Sequence, residues 1–374
     1  MLPSLEGRSS SGAASLPGFD SFVNWDNLLA AYRAAARGKQ ARAAVAQFAF
    51  NPGEHLLQLH QALQAGTWRP GRYVQFAIHE SKRRWISAAP FSCRVVHHAL
   101  MQVLQPRFEA TFSEHSYANR VGKGTHRAVS RVQGLAQQHR HVLRLDVQRH
   151  FPSIDHALLL RRLDARMEDV RLRQVVRLIL ASGESVADPE QADPGWLYPG
   201  DDLLALARPR GLPVGNLTSQ HWSNVYMHPL DDFCQRGLGC SAYVRYVDDF
   251  ALFHDSKAVL ADWRQQIVQF LAVRLRLRIH GQAAHVQPCV AGIPWLGFVV
   301  FPDHRRVKAR KVVQGTRRLQ GLYDAWCAGT ISFGEFDASV QGWINHVRFA
   351  DTLGLRAHVL GRFDLGGRDL RRKK

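Results

Sequence analysis

Tyr243-Val244-Arg245-Tyr246-Val247-Asp248-Asp249-Phe250-Ala251-Leu252-Phe253-His254 is the stretch from which the fold of this chain is read. Its flanks are rich in β-branched and aromatic residues. They predict paired strands over 242–247 and 250–254, with Asp248-Asp249 at a tight turn between them. Two adjacent negative charges beside a buried sheet repel unless a cation joins them. A hard divalent ion such as Mg²⁺ takes oxygen ligands of this type.

A second acidic strand end lies upstream, in Leu143-Arg144-Leu145-Asp146-Val147. An apolar strand is predicted over 141–147, with Asp146 close to its end. Read alone, Asp146 serves equally well as an N-cap for the segment that follows. If the two strands are neighbours, Asp146 and Asp248 meet. Two metal ions held ~3.5–4 Å apart by such carboxylates can activate a hydroxyl nucleophile and stabilise a leaving pyrophosphate. Two further Asp-Asp pairs, at 201–202 and 231–232, lack strand flanks. Both read as solvated surface.

The charge balance points the same way. Lys and Arg total 49 against 31 Asp and Glu, a net charge of +18 over 374 residues. Such an excess favours a polyanionic partner, although a solvated basic surface would also produce it. Basic residues cluster at Lys82-Arg83-Arg84, at Arg274, Arg276 and Arg278, from His304 to Lys311, and from Arg371 to Lys374. Phosphate-tracking grooves need such clusters. No apolar run approaches the ~18–20 residues of a membrane span, so no membrane role is expected. The first residues lack the pattern of a secretory signal. The five cysteines show neither zinc-site spacing nor a disulfide framework, which fits a reducing cytoplasm.

Periodicity predicts helices over 22–49, 54–65, 94–104, 155–167, 170–180, 217–230 and 258–277, and a helical end to about 365. Strands are expected over 73–78 and 84–86, and a further hairpin from 295–301 and 306–308. Residues 182–209, rich in Pro, Gly and Asp, read as a surface insertion. The order of elements is that of an α+β protein.

Taken together, these segments resemble the palm of reverse transcriptases. Asp146 to Asp155 (DVQRHFPSID) is similar to the first palm motif, and Tyr246-Val247-Asp248-Asp249 to the catalytic turn. Gly211 to Gln220 (GLPVGNLTSQ) is similar to the motif between them. The resemblance implies a right-hand polymerase fold: fingers, a palm of antiparallel sheet packed on helices, and a short helical thumb. It implies catalytic Asp146, Asp248 and Asp249, and two Mg²⁺ ions (Mn²⁺ the alternative) at Asp146, Val147, Asp248 and Asp249. The nucleotide would meet Lys82, Arg84, Phe151, Val214 and Gly215. In the family the aromatic at the Phe151 position excludes a 2′-hydroxyl. Template and primer would meet Arg94, Asn216, Ser219, Gln220, Tyr246, Leu296 and Gly297, the last two in a hairpin, Trp295-Leu296-Gly297-Phe298, that looks like the primer grip. Implied partners are template RNA, the RNA–DNA hybrid it becomes and deoxynucleoside triphosphates.

The middle motif departs from the common pattern. Most reverse transcriptases carry Gln where this chain has Val214, and Pro where it has Gln220. The form found here resembles enzymes of diversity-generating retroelements, in which an aliphatic residue goes with error-prone copying of template adenines. A Gln amide can hydrogen-bond the incoming nucleotide; Val cannot. The likeness extends over about 22–357, through Trp25-Asp26-Asn27-Leu28, Ser87 to Phe91, Gly122 to His126 and Gly342 to His346. It also implies a basic pentameric accessory protein and the absence of ribonuclease H, maturase and endonuclease domains. The expected organisation is a flexible tail (1–21), an N-terminal helical segment (22–70), fingers and palm (71–285, with the 182–209 insertion), primer grip and thumb (286–365) and a basic tail (366–374). A cellular enzyme co-opted for anti-phage defence would carry the same palm. A basic RNA-binding scaffold with a dead palm is the rival of a different class.

Overall fold

The computed structural model describes residues 18–79, 83–183, 196–281 and 284–363. Along the chain the elements run α1 (Phe19–Val23), α2 (Trp25–Ala36), α3 (Ala43–Phe50), α4 (Pro52–Gln64), β1 (Val74–His79), β2 (Arg83–Ala88) and α5 (Phe91–Glu109). Next come α6 (Thr125–Gln138), β3 (His141–Asp146), α7 (His150–Ser153), α8 (His156–Asp164), α9 (Val170–Ser182) and α10 (Leu217–Asp232). The chain continues through β4 (Tyr243–Tyr246), β5 (Asp249–His254), α11 (Lys257–Phe270), β6 (His285–Pro288), β7 (Ile293–Trp295), β8 (Phe298–Val300) and β9 (Arg305–Val307). Among the described residues three helices follow: α12 (Ala309–Cys327), α13 (Phe333–Val347) and α14 (Leu353–Leu360). This is the expected α+β order, with every named strand pair antiparallel, as in a right-hand polymerase.

The chain divides into two compact units. One comprises Met1–Phe112 and Arg149–Tyr226. Here α2 and α5 pack together, with α1, α3 and α4 against them, and β1 and β2 form a ribbon. The helix expected over 22–49 is broken between α2 and α3, where Gly38 adopts a φ of 67°. Its start is earlier: Phe19 and Phe22 are buried, and the Phe19 N–H donates to Asp169 at 2.9 Å.

The other unit comprises Ser113–Gln148 and Met227–Lys374. Its main sheet has the order β4-β5-β3-β6, and a smaller one runs β7-β8-β9. Helix α6 lies on β4, β5 and β8, burying Ala128, Val129, Val132 and Leu135 with Val142, Val244, Ala251, Phe253, Trp295 and Phe298. Helix α11 packs on β3, β5 and β6. A second core joins α12, α13 and α14 through Leu319, Phe336, Val359 and Phe363.

Three local expectations are corrected. The predicted strand over 295–301 is two strands, folded back at Leu296-Gly297. Asp201 is not solvated: its side chain is 4% exposed and takes a forked pair from Arg208, one arm at 2.9 Å, while Asp202 caps the 3₁₀ turn that follows. Asp231 is wholly buried against Arg245. Both acids pair with an arginine, the usual condition for burying a carboxylate. Of the 182–209 insertion, 184–195 lie outside the described residues, as do Lys82 and the 366–374 tail. The part from Trp196 onward is folded, with Tyr198 buried.

Candidate active site

Register places the carboxylates. Strand β5 pairs with β3 on one side and β4 on the other, so that Asp146 faces Asp249 and Tyr246 faces Asp249. Directly paired residues of antiparallel strands share a face, and like charges so placed repel. The turn joining β4 to β5 is therefore Val247-Asp248, one residue earlier than the flanks suggest, and Asp249 begins β5. Val247 has a φ of 60° and Asp248 does not share it, which is the signature of a type II′ hairpin. That conformation is strained for a β-branched residue.

Hydrogen bonds draw the first acidic strand to this turn. The Val147 N–H donates to the Asp248 carbonyl at 3.2 Å. The His280 N–H donates to the Asp146 carbonyl, and the Gln148 N–H to the Arg278 carbonyl, each at 2.8 Å. Thus Asp146, Val147, Asp248 and Asp249 are brought together. Burial raises the Asp249 pKa, against the opposing pull of Arg144 and Lys308. The Arg144 guanidinium stands 3.4 Å from Asp249 Oδ1, a long contact for an ion pair.

Among the described residues no group of three or more His, Cys, Asp or Glu side chains is disposed to hold a metal ion by itself. Asp146, Asp248 and Asp249 are part-buried and can offer carboxylate oxygens to a hard divalent ion; Val147 can offer only its main-chain carbonyl.

The expected nucleotide-side residues fall in the other unit. Phe151 lies in α7, and its carbonyl accepts from the Leu212 N–H at 2.9 Å. The Gly211 N–H donates to the Ile154 carbonyl at 2.9 Å, and its own carbonyl meets His156 Nε2 at 2.7 Å. The first and middle motifs are thereby zipped together. The middle motif is then tied to β2, where the Ser87 N–H donates to the Val214 carbonyl at 2.8 Å. Gly215, with a φ of 120°, passes so close that a Cβ would stand 3.0 Å from Ile86 Cγ2 and 3.2 Å from the Ser87 carbonyl oxygen. Asn216 is buried and donates to the Tyr73 hydroxyl at 2.7 Å.

Ser219 is buried too, whereas Gln220 and Arg84 are exposed. Arg94 is not gathered with this group in any contact described. It sits over the Phe91 ring, with its pKa lowered by burial and by Arg42.

Around the second hairpin a basic cavity opens. Leu296 and Gly297 have φ of 42° and 93°, the two left-handed residues of a type I′ turn. They line a space of about 590 Å³ together with Lys123, Thr125, His126, Arg127, Lys311 and His346. No carboxylate is among its lining residues. The N-terminus of α6 opens here, and its cap residue Gly124 has no side chain to satisfy it. The His346 pKa is lowered by burial and then by the neighbouring His126 and Lys311. Thr125 Oγ1 lies 3.0 Å from the Tyr246 hydroxyl, linking this cavity to the carboxylate turn. Lys311, Arg127 and Thr125 were not expected at a site; Lys311 lies in the basic run 304–311 and Thr125 in the Gly122 to His126 stretch, while no sequence signal marked Arg127.

Residues 77–300 match the family model described as "Reverse transcriptase (RNA-dependent DNA polymerase)". Protein YkfC of Escherichia coli (strain K12) is 23% identical over 294 residues, covering 68% of this chain and 73% of that protein. The group II intron-encoded protein LtrA of Lactococcus lactis subsp. cremoris is 24% identical over 183 residues, covering 48% of this chain and 28% of its own. Among solved structures, a chain of the partial Cas6-RT-Cas1–Cas2 complex matches with a TM-score of 0.37 and 18% identity, covering 68% of this chain and 42% of that one.

Proposed function

Because this chain belongs to the reverse transcriptase (RNA-dependent DNA polymerase) family, we propose that it extends a primer along an RNA template at the carboxylates of Asp146, Asp248 and Asp249. The observation that carries this reading is the register Asp146↔Asp249 with Asp248 in the adjoining turn. The family uses divalent metal ions, and Mg²⁺ held by Asp146, Asp248 and the Val147 carbonyl would supply Lewis-acid activation of the primer hydroxyl and of the leaving pyrophosphate. Asp249, at the start of β5, adds negative charge beside that set and is itself balanced by Arg144 and Lys308.

The remaining residues bind and orient. Arg84, exposed on β2, would neutralise triphosphate charge. By the family resemblance Phe151 would meet the sugar, and Val214 and Gly215 the nucleotide's base. The cavity at Leu296 and Gly297 takes the backbone of the strand being extended: it is cationic and joined to Tyr246 through Thr125. Primer extension on an RNA template with Mg²⁺ is the test. Asp248→Ala abolishes product; extension at the wild-type rate in that variant refutes the assignment.

The finer reading is an error-prone enzyme of the diversity-generating type. Its support is Val214, whose main chain is held by Ser87 while its side chain carries no hydrogen-bonding group. Losing a positioning bond narrows the gap between correct and incorrect nucleotides. Val214→Gln therefore lowers misincorporation opposite template adenine, and an unchanged error spectrum there removes this reading without touching the first.

A further inference from the structure

The strained turn that presents Asp248 has a buried support. Arg245 is wholly buried, and its guanidinium forks onto Asp231 of α10, with Nε and Nη2 each 2.6 Å from a different carboxylate oxygen. The Tyr243 hydroxyl donates to the same carboxylate at 2.8 Å. The third donor points elsewhere: Nη1 donates to the Val247 carbonyl at 3.0 Å.

A plain structural ion pair would join α10 to β4 and end there. Here the planar fork fixes the direction of Nη1 once Asp231 is engaged. The main chain of Arg245 is fixed as well, because its N–H donates to His115 at 2.8 Å and its carbonyl accepts from Tyr117 at 2.9 Å. The Val247 carbonyl belongs to the planar peptide that leads into Asp248. Holding that oxygen sets the peptide plane, and with it the direction in which the Asp248 side chain leaves the turn. The same hold constrains ψ of Val247, a residue whose φ of 60° is disfavoured for a β-branched side chain.

We propose that Arg245, anchored by Asp231 and Tyr243, is a positioning residue that locks the Val247–Asp248 peptide so that Asp248 faces the metal site beside Asp146. The proposal rests on the polymerase reading and adds to it a support fourteen residues away in sequence from the arginine it anchors. Arg245→Lys keeps a charge for Asp231 but cannot fork onto it and also reach Val247 in a fixed direction. The double variant Asp231→Leu/Arg245→Met replaces the pair with apolar side chains, a change that buried ion pairs often tolerate without loss of stability.

The full chain is assayed for single-nucleotide incorporation, with Mg²⁺ titrated, primer–template affinity measured and melting temperature recorded. Asp248→Ala is run beside the other variants; if it extends primer normally, the polymerase reading falls and takes this inference with it. With Asp248→Ala inactive, Arg245→Lys shows kcat lowered roughly 10- to 100-fold and a raised Mg²⁺ half-saturation, while primer–template affinity stays at the wild-type value. The double variant regains the melting temperature but not kcat. Wild-type kcat and Mg²⁺ dependence in Arg245→Lys, or in the stable double variant, overturn the proposal and leave the pair purely structural. Should Arg245→Lys fail to fold, the double variant decides.

Discussion

Gly215→Ala tests whether the middle motif is held in place by its close approach to β2. At a φ of 120° this position suits glycine alone, and an added Cβ meets Ile86 Cγ2 at 3.0 Å and the Ser87 carbonyl oxygen at 3.2 Å. The side-chain contact can yield by a small rotation. The backbone contact cannot, because Ser87 is fixed on its other side by pairing with Gln75. Strain from an L-residue in that region costs roughly 1–3 kcal/mol. Relief requires the loop to lift, which breaks the Ser87 N–H bond to the Val214 carbonyl. Local opening at Ser87 releases the strain and so becomes easier by about 1–3 kcal/mol. Hydrogen exchange of the Ser87 amide reads this directly and should accelerate roughly 5- to 160-fold. Nucleotide KM should rise, since Val214 and the bond from Asn216 to Tyr73 move with the loop. Adding Ile86→Ala restores little, because the φ and the backbone contact remain. Exchange at Ser87 within threefold of wild type would refute the reasoning, because the strain would then not exist.

Other perturbations follow from the same structure. His97 is wholly buried with both ring nitrogens lacking hydrogen-bond partners, and burial lowers its pKa to about 3. The folded state therefore holds it neutral while the unfolded chain protonates near pH 6.5. Its contribution is intact above that pH and is lost at about 1.4 kcal/mol per unit as pH falls from 6.5 toward 3. Urea unfolding against pH should show a shallower acid limb in His97→Phe, and an identical limb counts against it. Lys311→Ala should reduce the slope of log affinity against log salt for primer–template by roughly 0.7–0.9, the share of one phosphate contact. A slope equal to wild type would remove Lys311 from the nucleic-acid surface. Asp201→Ala leaves Arg208, whose side chain is 16% exposed, with its Nε bond to the Ala205 carbonyl at 2.9 Å and a longer 3.7 Å pairing to Asp155. An unsatisfied buried charge partner costs about 1–3 kcal/mol, so the melting temperature should drop by several degrees, and no drop would mean Arg208 finds water instead.

How much was legible in the sequence depends on the range of the interaction. Strands β4 and β5 were readable because alternation and β-branching are local. Their junction was misplaced by one residue because the turn seats Val247, a β-branched residue, at a positive φ that local preference disfavours. The same error recurs at Leu296, which also takes a left-handed φ, so that one predicted strand is two. Asp231 read as surface because its partner Arg245 lies on another element, and nothing in the 231–232 dipeptide announces a buried fork. Helix α6 was overlooked although Ala128, Val129, Val132, Leu135 and Ala136 make a readable apolar stripe.

The misreadings at Val247 and Leu296 share a cause that bears on function. Both are apolar residues held where their own conformational preference opposes the fold, and neither side chain can bond its backbone as Asn or Asp would. Such a residue persists only where its surroundings over-determine it. Val247 has that support in Arg245, and Leu296 sits next to Gly297, whose carbonyl accepts from the Lys308 N–H at 3.0 Å. One presents the carboxylates, and the other lines the basic cavity joined to them through Thr125 and Tyr246. Local rules failed where tertiary contacts impose the geometry, and both failures fall beside residues to which the proposed chemistry gives a role.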